Sequence, residues 1–490
     1  MPTGDDGVKS NFLSVMTTTY GRTATPCVLA CLLASAASAD SKGHAWLRKH
    51  GTVLLAGATH DVSKSPFNMA TYLAVGYNAL WDAVPSARLF DLAEQHRVPW
   101  FCNGVKGRLD SPFAGGLKLF DEPHFRKASS LDGSERVFRP HLSGVPGPLG
   151  VGIGGPRYRG LRFLNLIGMD TDGDPVAVAK RLWGDEGNPG YTYAQYVEDV
   201  LNIWQPDIVM HDHYPYNEKR NPQRYLFSQT FYRDTDIIRA AALKRGRPYW
   251  RYLQAYGKVN DKAMPSKSQI RLELFTGLAY GFTGFVHYWY DLPHDRDRGL
   301  VCAFFTADRE PRGFYRHVAE AVPEIARLGR SAIHLLSTDV RYVPCDSTKE
   351  LPKGVTSWRD TEHPLARTDP YQKRIEVSGR GPDSDFLVGY FMDGQGERYF
   401  MPVNVRHEPD PRKHCTESVT IDFDFDDTPI KQLRRINRRT GKEEIVDKSS
   451  PIFSSLGEGC YRLVLSLPGG TGDLFKYDTG APFVGIESKR

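Results

Sequence analysis

Short apolar segments alternate with amphipathic ones along the chain as far as residue 290. The short segments are rich in β-branched and aromatic residues and end in Gly, Pro or polar residues, which is typical of buried strands. Eight such segments are predicted strands: 52–57, 77–84, 98–103, 116–122, 161–168, 206–215, 248–255 and 284–290. Because strands alternating with helices favour a parallel sheet, eight such units predict an α/β fold, a (β/α)8 TIM barrel.

The segments between these strands predict most of the helices that a barrel needs. The most regular helical pattern runs from Tyr193 to Trp204, with its apolar residues on one side. The predicted helices are 67–75, 86–96, 193–204, 223–245, 268–280 and 310–335. Residues 123–159 are rich in Gly and Pro, and together with the connection between strands three and four they predict long loops.

Beyond residue 335 the pattern changes to alternation with a period of two. Phe386–Asn404 predicts a hairpin around a Gly-rich turn, and Ser418–Phe425 and Tyr461–Leu467 alternate apolar with polar residues. The chain is therefore expected to contain a barrel over 45–335 and an antiparallel β-sandwich accessory domain over 336–490.

The N-terminal residues predict export. Arg22 precedes an apolar run over 26–34 and the segment Ser35-Ala-Ala-Ser-Ala39, so residues 1–39 are expected to be a signal peptide or disordered, with cleavage near Ala39. The alternative is a buried N-terminal helix. The expected location is secreted or periplasmic, with no membrane-spanning segment. Five cysteines would remain, without a Cys-x-x-Cys motif, and a Cys415–Cys460 disulfide is possible in an exported protein.

Composition and charge add few constraints. The chain is 40% hydrophobic and 25% charged with a net charge of +5, which is ordinary for a globular protein. Basic residues are not arranged as a stripe interleaved with aromatic residues, so nucleic acid is not an expected partner. No motif predicts a cofactor, and the oligomeric state is not predicted.

Polar and aromatic side chains cluster where the predicted strands end. A polar group inside a strand costs free energy unless it is paired or faces a wet rim, so these residues predict one shared polar site at the carboxyl ends of the strands. They are Trp81, Asp82, Asn103, Asp121, Glu122, Asn165, His211, Asp212, His213, Tyr214, Gln254, His287, Tyr288 and Trp289.

Two carboxylates in this set suit the cleavage of a glycosidic bond, which needs a protonated carboxyl and a second carboxylate. Glu122 is the predicted general acid/base, because Pro123 ends its strand and Asp121 and nearby aromatic rings would raise the pKa of its carboxyl. Asp212 is the predicted base or nucleophile. Strand seven, where many sugar-cleaving barrels have a nucleophilic glutamate, offers Gln254. Glu273 lies within a helix, and an ion pair is its expected role.

The motifs resemble those of bacterial glycoside-hydrolase-like barrels related to the clan-A glycosidases and the family 42 β-galactosidases. They are Asp121-Glu122-Pro123, Asn165 on strand five, Asp212-His213-Tyr214-Pro215 on strand six, Gln254, and Gly277–Gly284 before Tyr288-Trp289. The resemblance covers most of residues 50–480 and implies that the strand-four glutamate, Glu122, is the acid/base. It also implies a carbohydrate substrate.

Within this hypothesis the remaining residues would contact the sugar. Trp81, Tyr214, Tyr288 and Trp289 would stack on sugar rings, and the polar residues of the set would bind hydroxyl groups. Two alternatives stay open. One is a carbohydrate-binding pseudoenzyme, since strand seven lacks a carboxylate. The other is a metal-dependent hydrolase, since His211 and His213 share one face of a strand, and His287 and Asp82 could complete a metal site.

Overall fold

The computed structural model describes residues 41–64, 66–103, 108, 110–122, 124–127, 136–139, 160–168, 192–218, 225–259, 261–291, 299–379, 384–410 and 415–486. The predicted signal peptide lies outside these residues.

Eight parallel strands close into a barrel, as predicted. The strands up to residue 302 are β1 (Leu54–Thr59), β2 (Leu80–Asp82), β3 (Trp100–Asn103), β4 (Ala114–Asp121), β5 (His124–Lys127), β6 (Arg136–Arg139), β7 (Leu161–Leu166), β8 (Ile208–Asp212), β9 (Tyr216–Glu218), β10 (Tyr225–Phe227), β11 (Tyr249–Gln254), β12 (Tyr256–Lys258), β13 (Gly284–Asp291) and β14 (Leu300–Cys302). The barrel order is β1-β2-β3-β4-β7-β8-β11-β13, and β13 pairs with β1. Each barrel strand corresponds to a predicted one. The other six strands form two-stranded ribbons: β5–β6, β9–β10 and β12–β14.

The described helices are α1 (Lys42–His50), α2 (Met69–Ala74), α3 (Ala87–His96), α4 (Tyr193–Trp204), α5 (Phe231–Lys244), α6 (Lys267–Ala279) and α7 (Gly313–Ala332). They confirm the predicted helices with one correction. The helix expected over 223–245 begins only at Phe231, because Tyr225–Phe227 pairs as a strand with Tyr216–Glu218. Within the described ranges no helix is long and apolar enough to cross a membrane.

Aromatic side chains fill the barrel. Trp81 stacks on Phe101 at 5.0 Å between ring centroids, and Phe163 and Trp250 complete the layer. Trp46 of α1 packs against Phe101 and Trp250 at 5.6 and 6.1 Å. The side chain of Trp81 is 2% exposed, so this residue belongs to the barrel core. The stacking of Trp81 on a sugar ring stays a prediction that this burial does not support.

The chain after α7 forms two antiparallel sheets, as predicted. Their strands are β15 (Leu336–Val343), β16 (Gln372–Ser378), β17 (Phe386–Met392), β18 (Arg398–Asn404), β19 (Glu417–Asp424), β20 (Leu433–Ile436), β21 (Glu443–Val446), β22 (Phe453–Ser455), β23 (Cys460–Leu467) and β24 (Phe475–Tyr477). One sheet has the order β15-β17-β18-β24-β20-β21 and the other β16-β19-β23-β22. A buried core that includes Phe400, Phe423 and Tyr477 belongs to this β-sandwich.

The register of the second sheet excludes the disulfide considered above. Cys460 lies opposite Asp424, whereas Cys415 precedes Glu417, which lies opposite Leu467. Antiparallel strands of this length place the two thiols at opposite ends of the β19–β23 pair. Both cysteines are free.

Buried charges join the barrel helices to the sandwich. Arg271 of α6 lies 2.5 Å from Glu324 of α7 and donates a 2.7 Å hydrogen bond to Thr471. Arg438 of the sandwich lies 3.1 Å from the same Glu324 carboxylate and also pairs with Asp473. Glu324 therefore neutralises one guanidinium from each part of the chain.

Candidate active site

Glu122 follows the last residue of β4, at the carboxyl ends of the barrel strands. Its backbone has a φ of 45°, in the left-handed region that non-glycine residues rarely adopt. Its N–H donates a 2.9 Å hydrogen bond to the carbonyl of Asn165 on β7. This conformation costs about 1–3 kcal/mol, and such strain is concentrated at functional sites. The side chain is half-buried, and Pro123, which was expected to end the strand, lies outside the described residues.

Asp212 is the last residue of β8 and is 7% exposed. Its Oδ1 accepts a 3.3 Å hydrogen bond from the N–H of Gly168. The chain passes so close here that a Cβ on Gly168 would lie 1.9 Å from the Asp212 carbonyl oxygen. Because residue 168 is a glycine, the backbone after β7 comes close enough for the Gly168 N–H to donate to the Asp212 carboxyl group.

The Glu122 carboxyl lies near that of Asp212 and influences its protonation. Burial raises the pKa of Asp212 well above its ordinary value, and the neighbouring carboxyls of Glu122 and Asp121 raise it further. A hydrogen bond from Asn165 opposes this shift without reversing it. Because a raised pKa favours the neutral form of a carboxyl, these surroundings favour the protonated form of Asp212.

Asp121 and Asn165 lie beside Glu122 and Asp212 and are hydrogen-bonded to each other. Lys118, which the sequence analysis did not predict as a site residue, forms an ion pair with Asp121. Asn165 is 2% exposed and donates a 3.0 Å hydrogen bond to Asp121. Lys118 lies 3.1 Å from the other Asp121 oxygen, and its side chain is 9% exposed. The sequence did contain a signal for Lys118, because it is the one charge inside the apolar segment Leu117-Lys118-Leu119-Phe120. Asn103 is half-buried at the end of β3, in register with Lys118.

Four aromatic residues line the barrel mouth beside the acids. Tyr214 and Tyr288 stack with centroids 5.6 Å apart and planes at 22°. The ring of Tyr256, which was not predicted as a site residue, lies 5.3 Å from that of Tyr214. Trp289 follows Tyr288 through a cis peptide bond and lies 5.7 Å from His60. All four residues are partly exposed, and ring contacts bring together the predicted Tyr214, Tyr288 and Trp289.

Asp82 lies away from this group. It is 0% exposed, and its two carboxylate oxygens accept hydrogen bonds from the N–H groups of Val62 (2.8 Å) and Val84 (3.1 Å). Asp82 thus fixes the loops that follow β1 and β2, and its contact with substrate stays a prediction that this burial does not support.

The three predicted site histidines point into the helix layer. Side chains alternate along a strand, so with Asp212 directed into the barrel its two neighbours face outward. His213 contacts Asp234 at 3.1 Å and Ser228 at 2.8 Å, and His211 packs beside Phe282.

His287 is also buried outside the barrel, 3.0 Å from the Tyr77 hydroxyl, and burial lowers its pKa to about 3. His211, His213 and His287 thus lie apart from the acid pair, and their contacts with a sugar stay predictions that this placement does not support. The residues of the metal alternative do not converge, and within the described ranges no group of three His, Cys, Asp or Glu residues could hold a metal ion.

Gln254 is a structural residue. It is 1% exposed, its Oε1 accepts from the N–H of Tyr216 (3.0 Å), and its Nε2 donates to the carbonyl of Ala263 (2.8 Å). The Gln254 amide thus binds the backbone of two loops at the barrel mouth. Its hydrogen bond to a sugar hydroxyl stays a prediction. Behind it, Glu273 accepts a 3.3 Å hydrogen bond from the Gln254 N–H, and burial raises the Glu273 pKa to about 8 against the opposing charge of Arg251.

No protein-family model matches this chain, and no curated protein matches it. Among solved structures, a rhamnosidase from Novosphingobium sp. PP1Y matches 68% of the chain at 10% identity and a TM-score of 0.39. An α-L-fucosidase isoenzyme 2 from Paenibacillus thiaminolyticus matches 87% of the chain, and all of its own length, at 10% identity and a TM-score of 0.39. A β-galactosidase from Halorubrum lacusprofundi matches 34% of the chain at 17% identity and a TM-score of 0.24.

The chain spans 38% of the length of the rhamnosidase and 23% of that of the β-galactosidase. The three structures described here are a rhamnosidase, a fucosidase and a galactosidase, all of which are glycoside hydrolases by name. The likeness of this chain to family 42 stays a prediction.

Proposed function

We propose that this protein is a glycoside hydrolase whose reacting carboxyls are Glu122 and Asp212. The observation that carries the proposal is the position of Glu122 near the buried Asp212 at the mouth of a closed barrel. Glycosidic cleavage needs one carboxyl that holds a proton and one that is negatively charged, and the burial of Asp212 favours its protonated form.

The geometry supports a division of roles opposite to the one expected from the sequence. Asp212, whose pKa is raised, would donate its proton to the departing oxygen. Glu122 would attack the anomeric carbon, and the Asp212 carboxylate would then take a proton from the water that releases the sugar. A retaining enzyme has its carboxyls about 5–5.5 Å apart and an inverting enzyme roughly 6.5–9.5 Å apart, so the proximity of Glu122 and Asp212 supports the retaining course.

Carbohydrate is the proposed substrate class. Tyr288 and Trp289 offer aromatic faces, and Asp121, Asn103 and Asn165 offer polar groups around the acid pair. This combination suits a sugar ring, which has both apolar C–H faces and hydroxyl edges. Export to the periplasm or the medium stays a prediction from residues 22–39.

A carbohydrate-binding pseudoenzyme is the second candidate. It is favoured by Gln254, which occupies the strand-seven position with its amide engaged by backbone groups. This candidate predicts glycan binding without release of reducing sugar.

The test is a panel of 4-nitrophenyl glycosides and methyl glycosides, assayed with the wild-type protein, Glu122→Gln and Asp212→Asn. We expect Glu122→Gln to lose at least about 10³-fold in kcat on both classes. Asp212→Asn should lose far more on methyl glycosides than on 4-nitrophenyl glycosides, because 4-nitrophenolate leaves without a proton.

Asp426→Asn, at an exposed position of the sandwich, is the matched control and should be unaffected. Full activity of Glu122→Gln, or hydrolysis of no glycoside by the wild-type protein, would overturn the proposal. Leaving-group dependence in Glu122→Gln, and none in Asp212→Asn, would restore the roles expected from the sequence.

A further inference from the structure

The strand that carries Asp212 stops pairing with its neighbours at this residue. The register pairs of β8 end at His211 on the β7 side and at Asp212 on the β11 side. The next residue, His213, directs its side chain into the helix layer, where it is 0% exposed. The side chain of His213 therefore attaches the chain to its surroundings directly after the acid.

Both nitrogen atoms of the His213 ring are engaged. Nδ1 lies 3.1 Å from the Asp234 Oδ2, and Nε2 lies 2.8 Å from the Ser228 hydroxyl. The other Asp234 oxygen accepts two hydrogen bonds from the Arg233 guanidinium, at 2.7 and 2.9 Å, as an ionised carboxylate does. Since a carboxylate only accepts hydrogen bonds, Nδ1 of His213 carries a hydrogen atom, and this contact fixes the orientation of the ring.

The two partners of His213 lie at the start of α5 and are themselves held in place. Asp234 is 0% exposed and lies in the first turn of this helix, where the helix dipole stabilises a negative charge. The Ser228 N–H donates a 2.9 Å hydrogen bond to the Pro215 carbonyl, and the Ser228 hydroxyl lies 3.0 Å from that of Thr230. His213, Ser228 and Asp234, here called the histidine anchor, thus join the end of β8 to the start of α5.

The anchor acts on the residue next to it in the chain. Neighbouring residues of a strand project to opposite faces, so a fixed His213 also fixes the direction in which Asp212 enters the barrel. Inside the barrel the Asp212 carboxyl accepts hydrogen bonds from the Gly168 N–H, at 3.3 Å, and from Asn165. The first of these is long for an N–H···O bond, so the orientation of Asp212 also depends on how firmly the strand end is held.

We infer that the histidine anchor positions Asp212 as the proton donor, so that His213 is a positioning residue for the cleavage of a glycosidic bond. His213 acts through Asp212, from outside the barrel. This inference rests on the proposed function. It predicts that weakening the anchor impairs donation of the proton more than the other steps of the reaction, because a general acid must stay within hydrogen-bond distance of the oxygen that it protonates.

Methyl and 4-nitrophenyl glycosides of the sugar that the wild-type protein hydrolyses test this inference. The readout is kcat/KM, which covers the steps up to departure of the leaving group. His213→Leu should lower kcat/KM by about 10²-fold on the methyl glycoside, the effect of a displacement of about 1 Å at a reacting group. The loss on the 4-nitrophenyl glycoside should stay below about tenfold, because 4-nitrophenolate leaves without a proton. His213→Asn, whose amide can still donate to Asp234, should recover part of the loss.

Two further variants weaken the anchor without changing His213. Ser228→Ala removes the contact with Nε2, and Asp234→Asn removes the negative charge beside Nδ1. Each should lower the ratio of kcat/KM on the methyl glycoside to that on the 4-nitrophenyl glycoside by about threefold or more, as expected for the loss of one hydrogen bond. Ser228→Ala is the mildest of these substitutions and keeps the test decisive if His213→Leu does not fold.

Tyr77→Phe is the matched control. It removes a hydrogen bond of similar length, 3.0 Å, from another buried strand histidine, His287, which is adjacent to neither acid. We expect Tyr77→Phe to lower the melting temperature as Ser228→Ala does, and to leave the ratio of the two kcat/KM values as in the wild type.

Equal losses on both glycosides in His213→Leu and Ser228→Ala would show that the anchor only stabilises the fold. This result would overturn the inference while leaving hydrolysis by Glu122 and Asp212 intact. Failure of the wild-type protein to hydrolyse either glycoside would instead remove the proposed function and the inference with it.

Discussion

The position of the Asp212 carboxyl depends on a residue without a side chain. Gly168 donates its N–H to the Asp212 carboxyl, and its Cα faces the Asp212 carbonyl oxygen. A methyl group there would lie 1.9 Å from that oxygen, which is impossible without a shift of β7 away from β8.

Gly168→Ala should therefore lower kcat by at least tenfold, because a displacement of about 1 Å at a reacting group has effects of 10²-fold. The measurement is kcat on the best 4-nitrophenyl glycoside, with circular dichroism to verify folding. Gly394→Ala is the control, since a Cβ there would meet nothing within 4 Å. Equal activity of the two variants would show that Asp212 does not depend on this close approach.

The raised pKa of Asp212 also fixes the direction of a pH effect. A proton donor works in its protonated form, so kcat/KM should be retained below the raised pKa and should fall as the pH rises through it. This alkaline limb should lie well above pH 4, the region where an ordinary aspartate titrates.

A pH profile of kcat/KM on a methyl glycoside measures the limb, and Asp212→Asn should abolish it. A wild-type limb near pH 4 would contradict the protonated Asp212.

The sequence predicted where the candidate site lies better than it predicted which residues lie there. Glu122, Asp212 and Asn165 do lie near one another, because polar residues at the ends of parallel strands meet at one rim, and their roles stay predictions. His211 and His213 lie outside the barrel because the neighbours of an inward residue point outward, which a list of strand-end residues ignores. The raised pKa of Asp212 could not be predicted, since it depends on burial and on carboxyls of another strand.

At the scale of elements, the helices begin where side-chain caps are available. Thr192 accepts a 3.2 Å hydrogen bond from the Gln195 N–H, and the Gln195 side chain accepts from the Thr192 N–H at 2.8 Å. This capping box satisfies two N–H groups at the start of α4, the helix that precedes the Asp212 strand.

Thr192→Ala should lower the free energy of unfolding by about 1 kcal/mol, whereas Thr192→Ser should be nearly neutral. Urea denaturation followed by circular dichroism measures both values. The residue is exposed, so loss of the cap is the main effect of the substitution. A loss as large in Thr192→Ser as in Thr192→Ala would contradict the capping role.

The pattern of apolar residues predicted which segments are strands and which are helices, but it misplaced one helix boundary. The barrel strands were found as short apolar runs and the sandwich strands β19 and β23 by their alternation of buried and exposed residues. The α4 pattern gave that helix its observed bounds. The helix predicted from Gln223 was too long because Tyr225–Phe227 is apolar enough for either structure. Tyr225–Phe227 forms a strand because it pairs with Tyr216–Glu218. A local sequence pattern does not show which distant segment a strand will pair with.

At the scale of the whole molecule, Glu324 couples the barrel to the sandwich. Its side chain is 14% exposed and is in contact with Arg271 and Arg438, which are 8% and 13% exposed. Removing the negative charge leaves Arg271 without its carboxylate partner in a largely buried position, while Arg438 keeps Asp473.

Glu324→Gln should lower the free energy of unfolding by about 3 kcal/mol and should separate a single calorimetric transition into two. Glu320→Gln is the matched control, one turn earlier on α7, where the ion pair with Lys267 is about half exposed. Its effect should stay below about 1 kcal/mol. If both variants melt like the wild type, the two parts are joined by apolar packing instead.

The contact of Trp46 with Trp250 determines how late in synthesis the barrel core can be completed. Trp46 lies on the first described helix, and its partner on β11 follows about 200 residues later. During synthesis the indole of Trp46 therefore has no final packing partner until most of the barrel has left the ribosome. The strand that pairs with β1 to close the barrel emerges later still. The barrel is thus completed late, and the early chain must keep its apolar surface from aggregating until then.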